Sequence, residues 1–145
     1  MALAEPIQQG QLDSLQHASA AEIGRLLATS KGGAVQVAEH FLSHIEEQTS
    51  AVFLNVTQDR ALAEARSADE RLAAGRPLSP LDGVPLAWKD LIDMAGERTT
   101  VASGLFKETP LAEEDAPAVR RAAQAGMVKL GTVNLAEFAY SALGQ

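Results

Sequence analysis

The sequence predicts an α/β fold: N-terminal helices, then the start of a mixed, largely parallel sheet covered by helices. Three observations carry this prediction. Apolar residues recur at helical spacing through residues 19–75. The stretch Arg76-Pro-Leu-Ser-Pro-Leu-Asp-Gly83 then interrupts the pattern with two prolines and a glycine. Beyond it, strand-like and helix-like segments alternate, as in neighbouring strands joined through a helix.

Residues 1–18 are polar and without periodicity, and the expectation there is a flexible arm. The start has neither a basic region nor a long apolar run, so it does not read as a secretory signal. Residues 19–145 read as part of a single domain, mostly helical over 19–75 and α/β over 76–145. Ser19 opens the first helix, with Glu22 three residues on as in a capping box and Ile23, Leu26 and Leu27 as its apolar stripe. Gly32-Gly33 ends it. A second helix runs over about 34–48, with Ala34, Val35, Ala38, Phe41, Leu42 and Ile45 on one face.

Val52 to Val56 is short and rich in β-branched residues, and reads as a strand or an extended link. A third helix follows over about 58–74, built from Ala, Leu, Glu and Arg and stopped by Gly75. Val84 to Lys89 alternates as a strand. A helix opens at Asp115-Ala-Pro117 and closes at Gly126, with Pro in its first turn and Gly past its end. Met127 to Leu130 is a short strand. Asn134 reads as the cap of a last helix, with Glu137 three residues on and Leu135, Phe138, Ala139 and Tyr140 as its apolar run.

Composition narrows the function. A net charge of −7 in 145 residues argues against a broad nucleic-acid surface, which needs clustered Lys and Arg. Cysteine is absent, which excludes disulfides, thiolate metal sites and cysteine nucleophiles. No apolar run approaches the roughly 18 residues of a spanning helix, so no membrane partner is expected. The expectation is a soluble, cytoplasmic protein without cofactor. His40 and His44 are four apart on a helix, but the intervening Phe-Leu-Ser is not the pattern of a zinc protease, and both read as solvated.

Lys89 is the most informative residue. Strand alternation in Gly83-Val-Pro-Leu-Ala-Trp-Lys-Asp90 places Val84, Leu86 and Trp88 on one face and Pro85, Ala87 and Lys89 on the other. A lysine among small apolar residues is unusual. In a low-dielectric pocket its neutral form is favoured, and a neutral amine is a general base. On spacing alone, a strand-end lysine that reaches water is the favoured reading. Asp90 points to the opposite face. Ser103 and Ser141 lack the Gly-x-Ser-x-Gly elbow of an exposed nucleophile and read as turn and helix-end residues.

A resemblance adds to this. Pro80-Leu-Asp-Gly-Val-Pro-Leu-Ala-Trp-Lys-Asp-Leu-Ile-Asp93 resembles the lysine-bearing motif of the amidase-signature family. Thr99-Thr-Val-Ala-Ser-Gly104 is similar to its threonine-then-Gly-Ser turn, with Ala102 where the family usually has Gly. Asp115 to Gly131 resembles its helix ending in Ala-Gly followed by a short strand. Thr132-Val-Asn-Leu-Ala-Glu-Phe-Ala-Tyr-Ser141 resembles its Thr-Asn-x-x-Glu-Phe-Ala segment, with Thr132-Val133 in place of Lys-Thr. The four motifs stand in order over residues 80–141, and the third helix, with Ala65, Ala68 and Asp69 before Leu72, is similar to the family's N-terminal helices, so the resemblance covers about residues 20–145.

The resemblance implies an incomplete amidase-signature fold and the N-terminal portion of an enzyme that cleaves carboxylic amide C–N bonds. It implies a neutral lysine, Lys89, that takes a proton from a bridging serine, which takes one from a nucleophilic serine. Backbone N–H groups of a glycine-rich stretch hold the oxyanion. That stretch and both serines are expected beyond Gln145, so this polypeptide alone is expected to be inactive. The implied partners are a small-molecule amide substrate, and a second copy or the remainder of the same enzyme. Two alternatives stay open. One is a fragment of a tRNA-dependent amidotransferase A subunit, which releases ammonia from glutamine. The other is a truncated, non-catalytic remnant or binding module.

Overall fold

The computed structural model describes residues 6–48 and 51–140. Its elements run α1 (Gln9–Ser14), α2 (Ala20–Ser30), α3 (Ala34–Glu47), β1 (Phe53–Val56), α4 (Gln58–Ala73), β2 (Pro85–Lys89), α5 (Pro117–Gln124) and β3 (Val128–Val133). The α/β class expected from the pattern is the class observed.

The helix starts follow from local chemistry. Ser19 Oγ accepts from the Glu22 amide, and the Glu22 carboxylate accepts from the Ser19 amide at 2.7 Å, which closes the predicted capping box of α2. At α3 the residue before the helix is Gly33, which has no side chain to cap with. The uncapped amides of Ala34 and Val35 donate instead to the Asp69 carboxylate of α4, at 2.7 and 3.2 Å. A carboxylate on a helix N-terminus satisfies orphan donors and opposes the dipole. The same contact fixes how α3 and α4 lie together.

The core follows the helical stripes. Ala34, Val37, Ala38 and Leu42 of α3 meet Ala61, Ala65, Ala68 and Leu72 of α4, all buried, together with Ile23 and Leu27 of α2. The small alanines let the helices approach closely. Burying a Leu or Ile side chain contributes about 2 kcal/mol.

Residues 1–18 read from sequence as an arm. Residues 1–5 lie outside the described residues. Residues 6–18 depart from that expectation: α1 and a 3-10 turn at Leu15–His17 fold against the core, with Ile7, Leu12 and Leu15 at 4–8% exposure. Three apolar residues spread over nine positions are too sparse to show periodicity, yet each finds a place on α3 and its neighbours.

The sheet has the order β1-β3-β2 among the described residues. β2 runs parallel to β3, reached through an excursion over 90–116 and α5, and β1 runs antiparallel to β3. Leu86 faces Lys129 and Ala87 faces Gly131, so Leu130 is an extra residue on β3. Gly131 takes φ of 153°, where a Cβ would lie 2.1 Å from the Asn55 carbonyl oxygen. Among the described residues no helix is long and apolar enough to cross a membrane.

The chain end departs from the sequence reading. Instead of a helix capped by Asn134, residues 137–139 form one 3-10 turn, with Phe138 and Ala139 in the left-handed region at φ of 53° and 57°. That conformation cannot continue a right-handed helix. Asn134 still acts locally: its Oδ1 accepts from the Leu135 amide at 2.8 Å and its Nδ2 donates to the Ala51 carbonyl at 3.1 Å. Leu135 is buried, but Phe138 and Tyr140 are 51% and 94% exposed.

Candidate active site

β2 and β3 end side by side, with Lys89 opposite Val133 in register. The carboxyl end of parallel strands is where α/β sheets place ligands, because the following loops diverge there. Three segments gather at this end: the residues after Lys89, the turn at Thr100–Ser103, and residues 134–140.

Asp90 ties them together. It is 2% exposed. Its amide donates to the Val133 carbonyl and its carbonyl accepts from the Val101 amide, both at 3.0 Å. Its carboxylate accepts from the Thr100 amide at 3.1 Å and from the Thr100 hydroxyl. The carboxylate is thus committed to the turn, in keeping with its place on the face opposite Lys89. The turn itself bends through Val101 and Ala102, both left-handed at φ of 52° and 55°. The conformation at Ala102 is one that glycine adopts without steric cost.

The turn and the chain end are bonded to each other. The Phe138 amide donates to the Val101 carbonyl at 3.0 Å. Ser103 Oγ donates to Glu137 Oε1 at 2.6 Å and accepts from the Leu105 amide. Ser103 is 2% exposed and fully engaged, so the structure gives it the turn role expected and not that of a nucleophile. Ser141 lies outside the described residues. Glu137, read from sequence as part of a helix cap, is instead the acceptor that fixes Ser103.

Lys89 stands at the exposed end of β2, beyond the half-buried Pro85 and Ala87. The described residues therefore do not supply the dry surroundings that favour a neutral amine. They supply its position: the last residue of a parallel strand, followed by an aspartate that locks the adjoining turn.

A second cluster escaped the sequence reading. Lys129 of β3 is 2% exposed, and its Nζ lies 2.8 Å from Glu64 Oε1 and 3.5 Å from Asp115 Oδ2. Arg60 joins both carboxylates, at 3.2 Å to Glu64 and 2.7 Å to Asp115. Two cations and two anions balance, which is how buried charges are accommodated. Burial pushes the Asp115 carboxyl up, but hydrogen bonds from the Ala95 amide and Arg60 and the charges of Lys129 and Arg60 outweigh it and hold it below the usual aspartate value. The sequence signal was a lysine inside the strand run Val128-Lys-Leu-Gly-Thr-Val133. The cluster anchors the 90–116 excursion at its base.

The two histidines are half-buried, unlike the solvated pair expected, and border a groove shared with Gln9 and Leu12 of α1. Among the described residues no group of three or more His, Cys, Asp or Glu residues is arranged to hold a metal ion.

Comparison with known proteins agrees with the family resemblance. A family model described as Amidase matches residues 36–145. The chain is 41% identical over 125 residues to the glutamyl-tRNA(Gln) amidotransferase A subunit of Thermobifida fusca, covering 83% of this chain and 24% of that protein. It is 42% identical over 123 residues to the protein of the same description from Streptomyces coelicolor, again covering 83% and 24%. Among solved structures, the native peptide amidase of Stenotrophomonas maltophilia superposes with a TM-score of 0.76 at 28% identity, over 86% of this chain and 26% of that one. A protein described with a vestigial complex and the origins of an s-triazine catabolic enzyme superposes with a TM-score of 0.79 at 38% identity, over 85% and 27%. The chain spans about a quarter of the length of these relatives.

Proposed function

The chain belongs to the amidase family, and from that premise we propose that it forms the part of an amide-cleaving enzyme that supplies Lys89 as general base of a Ser-Ser-Lys relay. The observation that carries the reading is the place of Lys89, last in β2, with its strand end bonded to β3 and to the Asp90-anchored turn. A base must be held within hydrogen-bond reach of the proton it takes. A strand end flanked by a locked turn holds the lysine backbone in that way, while the side chain stays free to meet a partner.

In this mechanism the lysine amine accepts the bridging serine's proton, the bridging serine accepts the nucleophile's, and the nucleophile attacks the amide carbonyl. The leaving amine takes a proton, and water or another acceptor releases the acyl group. Residues 1–145 expressed alone are expected to hydrolyse no amide. Ser103 cannot substitute, since its hydroxyl is buried and donates to Glu137.

The test is Lys89→Ala in the intact protein, measured as ammonia release from a panel of linear primary amides. Loss of at least about 99% of kcat/KM is expected, in line with the contribution of a general base. Retention of a tenth or more of the activity, as an order-of-magnitude threshold on the same scale, would sink the assignment.

The identity to several amidotransferase A subunits favours a second reading, in which the substrate amide is glutamine and the ammonia passes to a partner protein. Ammonia release confined to glutamine, and dependent on a co-purifying partner, would select it. Release from unrelated primary amides without any partner would select the general amidase.

A further inference from the structure

α1 and the adjoining 3-10 turn are fastened to α3 by few contacts. Ile7 and the Gln36 side chain exchange two hydrogen bonds, at 3.1 and 3.3 Å, and Leu12 and Leu15 are buried. Beside these contacts lies an open groove of about 400 Å³, bordered by Gln9, Leu12, Gln36, His40, Ser43 and His44. The two histidine rings lie 4.4 Å apart, centroid to centroid. His40 Nε2 is shut off from water and has no hydrogen-bond partner among the described residues. His44 Nδ1 lies 2.8 Å from the His40 carbonyl, which only accepts, so that nitrogen carries the hydrogen. His44 Nε2 pairs with the Gln16 side-chain amide at 2.5 Å, linking α3 to the turn after α1.

This arrangement suits a neutral His40 ring. A bare Nε2 on a neutral His40 costs the desolvation of one acceptor, and an imidazolium costs more, because it must bury a charged N–H without an acceptor. We propose that His40 makes the docking of residues 7–17 a proton-operated latch: with a neutral His40 ring they stay on α3, and protonation of that ring releases them.

The charged groups that face the pair are Asp13 on α1 and Glu39 and Glu47 on α3. Asp13 favours the proton, but its Oδ1 already accepts from Gln9 at 2.8 Å. Burial, and then the neighbouring His44, hold His40 below its ordinary value of 6.5, with Asp13 and Glu47 offsetting only part. The docked state therefore binds fewer protons than the released state. Docking is complete above about pH 6.5 and weakens as pH falls through the lowered value.

The test is amide hydrogen exchange on the intact protein, expressed as protection factors against the intrinsic rate at each pH. From about pH 7.5 to about pH 5.5, protection at Leu12 and Leu15 should fall several-fold relative to Ala61, Ala65 and Ala68 of α4. His40→Gln should abolish that relative fall. Asp13→Asn should enlarge it, because a carboxylate that favours the docked proton is gone; loss of a merely structural contact would shift protection equally at all pH values. A constant ratio in the wild type overturns the latch, and so does an undiminished fall in His40→Gln. Should His40→Gln leave the segment released at every pH, Asp13→Asn decides: a larger fall supports the latch and an unchanged one overturns it.

Discussion

The Arg71 guanidinium and the Asp82 carboxylate meet in two parallel hydrogen bonds, Nε to Oδ2 at 2.9 Å and Nη2 to Oδ1 at 2.7 Å. Asp82 has no exposed side-chain surface and also accepts from the Leu78 amide at 2.8 Å. A Cβ on Gly126 would lie 2.2 Å from its Oδ1. The helical half of the chain, the proline-rich stretch and the end of α5 thus converge on one carboxylate. Asp82→Ala leaves the guanidinium and an amide without their acceptor, and should cost on the order of 3 kcal/mol. Urea denaturation of the two proteins measures it, and a loss below about 1 kcal/mol would show that the pair is not an anchor.

Much of this was legible in the sequence where the signal is local. The Ser19–Glu22 box, the alanine stripe of α4 and the Pro117-to-Gly126 bounds of α5 follow from spacing and capping chemistry within a few residues. What escaped was set at long range. Asp69 caps a helix 34 and 35 residues before it, Lys129 finds Glu64 65 residues away through its amide, and Glu137 meets Ser103 across 34. The supposed last helix had a sound cap signal, but hydrogen bonds to Val101 and Ser103 hold its residues in another conformation. At the candidate site the lysine was legible from its strand. The turn beside it was legible only through the motif resemblance, because left-handed backbone at Val101 and Ala102 carries no propensity signal.

That turn yields a stabilising substitution. Ala102 sits at φ of 55°, where an L side chain crowds the following carbonyl at a cost of roughly 1–2 kcal/mol. Glycine removes the crowding but adds freedom to the unfolded chain, worth about 0.4–1 kcal/mol. Ala102→Gly should therefore gain up to ~1 kcal/mol, read as a higher denaturation midpoint. A lower midpoint would mean that the methyl group makes packing contacts that outweigh its strain. The family's usual glycine at this place has the same physical reason.

Gly131 predicts the opposite sign. Its φ of 153° and the approach to the Asn55 carbonyl leave no room for a methyl group. Gly131→Ala should push β1 from β3 and cost at least about 2 kcal/mol, with loss of hydrogen-exchange protection at the Thr57 amide, which donates to Leu130. Unchanged protection there would show that the strands shift to absorb the side chain.

The cluster around Lys129 sets an acid response. Asp115 is held below the usual carboxyl value, so the folded state binds fewer protons than the unfolded one. Its contribution is present above the ordinary aspartate value near 3.8 and is lost as pH falls through the lowered one. Lys129→Met removes one of the charges that lower it, and the stability of the variant should fall less steeply with pH below about 4. A variant whose acid profile parallels the wild type would show that Arg60 and the Ala95 amide alone set the Asp115 titration.

Lys89 separates chemistry from structure. It is exposed, and no ion pair holds it among the described residues. Truncating such a side chain changes stability by no more than about 0.5 kcal/mol. Removing a general base costs about 10²–10⁴ in rate. Lys89→Ala in the intact protein should therefore unfold at the wild-type midpoint while losing amide hydrolysis, and Lys89→Arg, which keeps the charge but cannot release a proton near neutral pH, should be equally inactive. Activity in Lys89→Arg would reduce the lysine to a cationic contact for substrate. A shifted midpoint in Lys89→Ala would instead mean that the side chain makes packing contacts in the intact protein, and the loss of rate could then no longer be assigned to its proton.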